Sequence, residues 1–308
     1  MNIKFLETFL AVQRLRSFRL AAETSHISQA AVSNRIAALE AEFGCMLFDR
    51  RSREFILTDA GQRLIRHATE IVNAQAAMRR DVQGSASAPE SIRVGAVGSM
   101  AHAVMPAVSK AAQYLQPRLR IVLQTAESND LLEALCEQRL DIVVARAGID
   151  RPGLDSSLLC TFAMFWVGSG ATLKLCELPL RREQLLHLPL VSYSADSPAQ
   201  RQLLAYLQVQ DSSELQISHS DSLATLVQFV RHDLGVAPLP AAAVMDELAR
   251  NEVHLIPSAD ALPPATYALY TRERREPGSL PALMRLIREQ VSQFCASLPD
   301  GYAQDITS

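Results

Sequence analysis

"ISQAAVSNRI", Ile27 to Ile36, is built mostly of small residues, and its polar side chains Gln29, Ser33, Asn34 and Arg35 fall between apolar ones in a helical rhythm. Such a stripe is either an ordinary solvated helix face or a surface made to enter a DNA groove, and the flanking chain decides which. Ser28 stands where a helix cap belongs, the helix runs to about Phe43, and Gly44 follows as the expected stop. Val32, Ile36, Leu39 and Phe43 then form its inward stripe, which leaves Gln29, Ala30, Ser33 and Asn34 on another face.

Upstream, residues 3 to 14 carry Phe5, Leu6, Phe9, Leu10 and Val12 on a helical period behind Asn2, a candidate cap. Ser17 can cap a second helix bearing Leu20, Ala21 and Ala22, and Ser25-His26-Ile27 interrupts the pattern before Ser28. Two helices joined by a short turn, with small residues where they cross, make a helix-turn-helix. Gln and Asn can read an adenine edge with two hydrogen bonds, Ser can serve several bases, and Ala30 can meet a thymine methyl. Downstream, "LFDRRSREFILT" (Leu47 to Thr58) reads as a hairpin in which Arg50, Arg51 and Arg53 precede an apolar strand, Phe55-Ile56-Leu57. As a wing beside a recognition helix, it would set those guanidiniums on phosphates or in the minor groove. Taken singly, each feature is more simply a solvated surface; their order in one short segment favours DNA.

The run "SFRLAAETSHISQAAVSNRIAALEAEFGCMLFDRRSREFILTDAG", Ser17 to Gly61, resembles the winged helix-turn-helix of LysR-type transcriptional regulators. The matching positions are Ser17-Phe18, Ala21-Ala22, Ile27-Ser28-Gln29, Val32-Ser33, Ile36, Leu39-Glu40, Gly44, Leu47-Phe48, Arg50, and Leu57-Thr58 before Ala60-Gly61. The resemblance implies DNA contacts by Gln29, Ala30, Ser33 and Asn34 in the helix and by Arg50 and Arg53 in the wing. Ala30 stands where the family often has Pro, and Asn34 where Arg is frequent, so the sequence preference at those contacts stays open.

From Asp59 to about Gln83 the chain reads as one helix with Thr58 as cap. Leu64, Ala68, Ile71, Gln75, Met78 and Val82 alternate spacings of four and three, the repeat of a two-helix seam in which Gln75 can fix register. The plain alternative is an amphipathic helix lying on its own domain. A dimer would suit the DNA end, since paired recognition helices read two half-sites. "QGSASAPES" then reads as a linker.

Beyond it, "SIRVGAV", "RIVLQTAE" and "LDIVVARAG" read as strands alternating with helices, one of them running from Gly98-Ser99 through Val108, which argues a parallel sheet. "LPLVSYS", "LQISHS" and "GVAPLP" repeat the theme as a second unit, "ATYALYT" gives a returning strand, and a helix over about Leu280 to Ser297 closes the chain. Two such units resemble the periplasmic-binding-protein-like (type 2) effector domain of the same family, with crossings near Thr161–Val167 and Pro264–Tyr270; Asp233 stands where the family usually has Gly. The expected class is therefore α/β overall. Residues 1–58 form a winged helix-turn-helix, 59–90 a dimerisation linker helix and hinge, and 91–308 an effector-binding domain. Within that domain, subdomain I takes 91–163 and 267–308, and subdomain II takes 164–266. Ligands in such sheets settle beyond the carboxyl ends of strands, against helix N-termini. That rule selects Ser99, Met100, Ser128, Asn129, Ser192, Tyr193 and Ser220; each Ser taken singly is more simply a helix cap, and the resemblance implies their convergence on one cleft. Arg146 can pair with a carboxylate effector, or equally with Asp150 or Asp155.

Composition bounds the alternatives. The chain has 308 residues, 48% hydrophobic and 20% charged, and a net charge of -3 that averages unlike parts. Residues 1–90 hold 12 Lys/Arg against 10 Asp/Glu, and residues 91–308 hold 18 against 23, so a mildly basic front precedes an acidic body. Lys4, Glu7 and Arg14 argue against an export signal, and the apolar run Leu158 to Val167 is too short to span a membrane, so a cytoplasmic protein is expected. Five scattered cysteines read as reduced, mostly buried thiols, with a redox-sensing role for one as the alternative. No G-x-S-x-G elbow, P-loop, G-x-G-x-x-G or metal-ligand spacing occurs, so no enzyme, cofactor or metal is expected. The function these features and the resemblance define is a regulator that binds promoter DNA sequence-specifically as a dimer or dimer of dimers. A small-molecule effector, a carboxylate or polar metabolite, would modulate DNA binding or promoter activation, with RNA polymerase a further partner. The competing class, a solute-binding or enzymatic α/β protein with an accessory helical domain, lacks both an export signal and a catalytic constellation.

Overall fold

Local capping organises the N-terminal unit. In the computed structural model, which describes residues 2–49, 56–82, 90–272 and 279–307, the Lys4 amide donates to Asn2 Oδ1 at 3.0 Å and opens α1, Ile3–Leu15. The Leu20 amide donates to Ser17 Oγ at the start of α2, Phe18–Thr24. The Ala31 amide donates to Ser28 Oγ at the start of α3, Gln29–Phe43. Gly44 ends α3 with φ +65°, the left-handed conformation that glycine adopts without penalty. Val32, Ile36 and Leu39 are buried with Leu6, Phe9 and Val12 of α1 and with Ala21 and Ala22 of α2.

Phe43, expected on the inward stripe, is instead 45% exposed. The last turn of α3 runs past the small core, and Glu40 takes the next inward position at 7% exposure. Its carboxylate accepts from the Leu47 amide at 3.0 Å and so fastens the chain leaving α3. Glu40→Ala strands that amide, at a cost of about 1–3 kcal/mol. Hydrogen exchange should report it as lost protection at Leu47.

β1, Phe48–Asp49, pairs antiparallel with β2, Ile56–Leu57, and the Phe48 ring lies 5.5 Å from both Phe9 and Phe18. The expected wing arginines Arg50, Arg51 and Arg53, and Phe55, lie outside the described residues. α4, Asp59–Val82, begins with the Gly61 amide donating to Thr58 Oγ1 at 3.0 Å. Leu64 and Ala68 are buried in the core of the first three helices, and Ile71 packs against it, whereas Met78 is 57% exposed. The first half of the heptad pattern therefore serves this chain's own core, and the outer half is left uncovered at Met78. Met1 to Ala88 form one compact unit and Pro89 to Ser308 the other.

In the second unit, β3 is Glu90–Ala96, α5 Gly98–Ala103, α6 Met105–Leu115, β4 Leu119–Thr125, α7 Ser128–Cys136 and β5 Ile142–Arg146. α5 and α6 replace the single helix expected through Val108, because Pro106 lacks an N–H and its ring cannot follow a continuous turn. β6, Leu154–Phe162, leads through Ala163 into β7, Met164–Gly168. There follow α8 (Gly170–Leu175), α9 (Arg182–Leu185), β8 (Leu190–Ser192), α10 (Pro198–Leu207), β9 (Ile217–His219) and α11 (Leu223–Arg231). β10 (Ala237–Pro240), α12 (Met245–Ala249), β11 (His254–Ile256), β12 (Ala265–Arg272), α13 (Leu280–Ser297) and β13 (Ala303–Asp305) complete the chain.

The first lobe's sheet has the order β13-β6-β12-β5-β3-β4. It is mixed rather than parallel. β4, β3 and β5 run parallel, while β12 is antiparallel to both β5 and β6 and β13 is antiparallel to β6. The antiparallel half follows from chain that leaves for the second lobe and returns, rather than from helix crossovers. The second lobe holds the antiparallel sheet β10-β7-β11 and the parallel pair β8-β9. The outgoing crossing falls at Ala163, within the expected stretch. The return is complete before Ala265, because the whole of β12 pairs in the first sheet. Asp233, where a glycine was expected, sits at φ +61° after α11, and its carboxylate accepts from the Ser169 hydroxyl.

Candidate functional site

Two surfaces carry chemistry. On α3, Gln29, Ala30, Ser33 and Asn34 are all exposed on one helix face, opposite Val32 and Ile36. Arg35, polar in the same segment, belongs elsewhere: its Nη1 donates to Thr8 Oγ1 at 3.0 Å and ties α3 to α1. The face is thus small, uncharged and rich in amide and hydroxyl groups, a donor–acceptor pattern suited to base edges.

The second is a cavity of about 80 Å³ in the Pro89–Ser308 unit, where strand ends of its two lobes converge. About 10–15 Å³ admits one water, so this space has room for several waters or a small molecule. Of the eight residues expected there, Ser99, Ser128, Arg146, Ser192 and Tyr193 line it. Met100 does not; it is 1% exposed and belongs to the first lobe's core, because the α5 residue after Ser99 turns inward. Asn129 is exposed and accepts from Arg151 Nη2 at 3.5 Å, and Ser220 stands behind the wall, its amide donating to the Ser192 carbonyl at 3.1 Å.

Arg146, at the end of β5, pairs with neither Asp150 nor Asp155 among the described residues. Its Nη2 donates to Gln202 Oε1 at 2.9 Å, its backbone amide donates to Ser128 Oγ at 3.3 Å, and its guanidinium lies 5.7 Å from the centre of the Tyr267 ring. β12 sets Tyr267 opposite Arg146 in the sheet, and the Tyr267 hydroxyl shares a 2.8 Å hydrogen bond with Ser99 Oγ. Tyr193 is steadied by His219, whose Nδ1 lies 2.7 Å from the Tyr193 carbonyl. Burial pushes both phenols above their ordinary range, so both are neutral hydrogen-bonding groups.

Glu127, Gln202, Asp221 and Tyr267 are cavity residues that the sequence reading passed over. Glu127 ends the segment after β4, so the rule that selected Ser128 reaches it too. Gln202 lies within α10 and gives no such signal. Burial raises the Glu127 pKa, Asp130 and Asp221 raise it further, and Arg146 opposes them. A raised carboxylate stabilises the fold below its unfolded pKa, and that contribution is lost as pH rises through the folded value. Glu127→Gln should therefore melt about 1–3 °C above the parent at pH 8, with the gap closing toward pH 4.

All five cysteines are free; Cys160 and Cys295 are buried, Cys136 and Cys176 intermediate, and Cys45 is exposed, fewer in the interior than the sequence suggested. No cluster among the described residues could hold a metal ion, and no described helix is long and apolar enough to cross a membrane.

A helix-turn-helix unit followed by a two-lobed α/β unit with a cavity between its strand ends defines a two-part DNA-binding protein with a ligand-accepting half. Residues 3–62 match the model of the bacterial regulatory helix-turn-helix protein, lysR family, and residues 85–292 match the LysR substrate binding domain. The chain belongs to the LysR family of transcriptional regulators. It is 28% identical over 311 residues to the DNA-binding transcriptional dual regulator OxyR of Escherichia coli (strain K12), covering 98% of this chain and 97% of that one. Its fold is similar to ArgP from Mycobacterium tuberculosis (TM-score 0.72, 18% identity, 94% of this chain and 96% of that). It is also similar to full-length CbnR complexed with its target DNA (TM-score 0.63, 15% identity, 96% and 100%).

Proposed function

We propose that this LysR-family regulator binds promoter DNA through the exposed face of α3 and that a small molecule in the α/β cavity modulates that binding or the resulting promoter activation. The observation that carries the reading is the sorting of α3. Val32, Ile36, Leu39 and Glu40 hold the helix in place, while Gln29, Ala30, Ser33 and Asn34 stay exposed. Arg50 and Arg53, in the wing segment, supply phosphate or minor-groove contacts beside it. Residues 1–58 then serve as the DNA-binding part and 91–308 as the effector-binding part, with 59–90 between them.

The active species is a dimer, and a dimer of dimers on longer sites. The outer half of α4 supports this, because Gln75 and Met78 continue the seam beyond the part used internally and Met78 is left exposed. The working compartment is the cytoplasm, where promoter DNA and RNA polymerase are met. A gel shift on the DNA upstream of the protein's own gene tests the reading. Retention that depends on sequence and weakens with salt is expected, and retention of every DNA alike, or of none, would count against it.

A further inference from the structure

The charges around the cavity narrow its ligand beyond size. Glu127 reaches it from the junction of β4 and α7, Asp221 from the segment after β9, and Arg146 from the end of β5. Two carboxylates thus face one guanidinium, and Arg146 already engages a neutral partner, Gln202. The Glu127 carboxylate makes no hydrogen bond or ion pair among the described residues, although it leads into α7. A second group is also left waiting. Ser192 is 2% exposed and lines the cavity, yet its hydroxyl has no hydrogen-bond partner among the described residues. That hydroxyl is open to the cavity, where a ligand oxygen can accept from it.

A plain carboxylate would bring a further negative charge to Glu127 and Asp221. A plain amine would satisfy those two and leave Arg146 and the serine hydroxyls without an anion. A zwitterion answers both ends. We propose that the cavity takes an α-amino acid with an apolar side chain. Its ammonium group is held by Glu127 and Asp221, its carboxylate by Arg146 with the Ser128 and Ser192 hydroxyls. The side chain packs on the apolar wall that includes Met164, Leu203 and Leu262. A ligand cation beside Glu127 offsets the burial and the repulsion from Asp130 and Asp221 that disfavour its charged form. This inference rests on the reading of the cavity as the effector site.

The test is titration calorimetry on the full chain with two matched sets. One is L-leucine, 3-methylbutylamine and 4-methylpentanoate; the other is L-phenylalanine, 2-phenylethylamine and 3-phenylpropanoate. At least one amino acid should bind tenfold or more tighter than both of its truncated analogues. Glu127→Gln should weaken that amino acid at least tenfold and narrow its advantage over the amine-free acid. An amine-free acid that binds as tightly as its amino acid, indifference to Glu127→Gln, or binding by none of the six would overturn the assignment. Ala199→Trp, which fills the lined space, separates the two failures. An amine-free acid that Ala199→Trp excludes leaves the cavity as effector site and removes only the amino acid; binding that Ala199→Trp does not disturb removes the cavity as well.

Discussion

Replacing Gln29 and Asn34 together with alanine is expected to lower affinity for the specific DNA site by about 5- to 150-fold for each base that is no longer read. Non-specific DNA binding should change little. The asymmetry follows from what the two side chains can do. Both are uncharged, both are exposed on α3, and neither supports the core. Phosphate attraction, which sets non-specific affinity, resides in Arg and Lys and is untouched. Fluorescence anisotropy against a specific duplex and a scrambled one, at one salt concentration, measures both arms. Equal losses on both duplexes would show that α3 docks without reading bases. Ala30 and Asn34, the two departures from the pattern the family resemblance implies, are the positions at which site preference should differ.

Gly61→Ala is the second large effect, and its sign reverses the usual rule. Alanine in a helix is ordinarily favoured over glycine by roughly 1 kcal/mol. At Gly61 the added Cβ would press on the Leu47 carbonyl oxygen well inside contact distance, and it would meet Leu57 Cδ2 at 2.8 Å. The obstacle is backbone, and that carbonyl also accepts from the Thr58 amide at 3.1 Å, so it cannot swing aside freely. The Thr58 hydroxyl, which donates to the Met46 carbonyl at 2.7 Å, fastens the same junction. Overpacking of this kind costs about 1–3 kcal/mol, and the strain falls where α4 meets the wing. Faster exchange of the amides around Leu47 and Thr58, with weaker DNA binding, is the expected outcome. A variant as protected as the parent would mean that the loop after α3 is free to move.

The same junction illustrates why some of the molecule could be read from the chain and some could not. Asn2, Ser17, Ser28 and Gly44 act within three residues of their targets, so their roles are local and legible. Phe43 misled because helical periodicity says which residues share a face but not where the core beneath that face ends. Glu40 was missed for the converse reason: a carboxylate holds an inward position only through a partner, Leu47, that periodicity does not display. In the α/β unit, helices between strands pointed to parallel pairing, and they were right for β4, β3 and β5. The antiparallel pairings of β12 with β5 and β6, and of β13 with β6, depend on a chain path that exits and returns, which no local pattern records. At the cavity, strand ends pointed to Ser99, Ser128 and Tyr193, while Gln202 arrives from a helix of the other lobe and only the folded chain brings it to Arg146.

The central claim is that paired copies of this chain read DNA sequence through α3. Selection of bound duplexes from a random pool by the full chain, at near-physiological salt, tests it most directly. The expected result is enrichment of an inverted repeat whose half-site centres lie about 10.5 base pairs, or a multiple of that, apart. Gln29→Ala or Asn34→Ala should also relax the preference within each half-site. A retained pool with no enriched sequence, or enrichment that these substitutions leave unchanged, would contradict it.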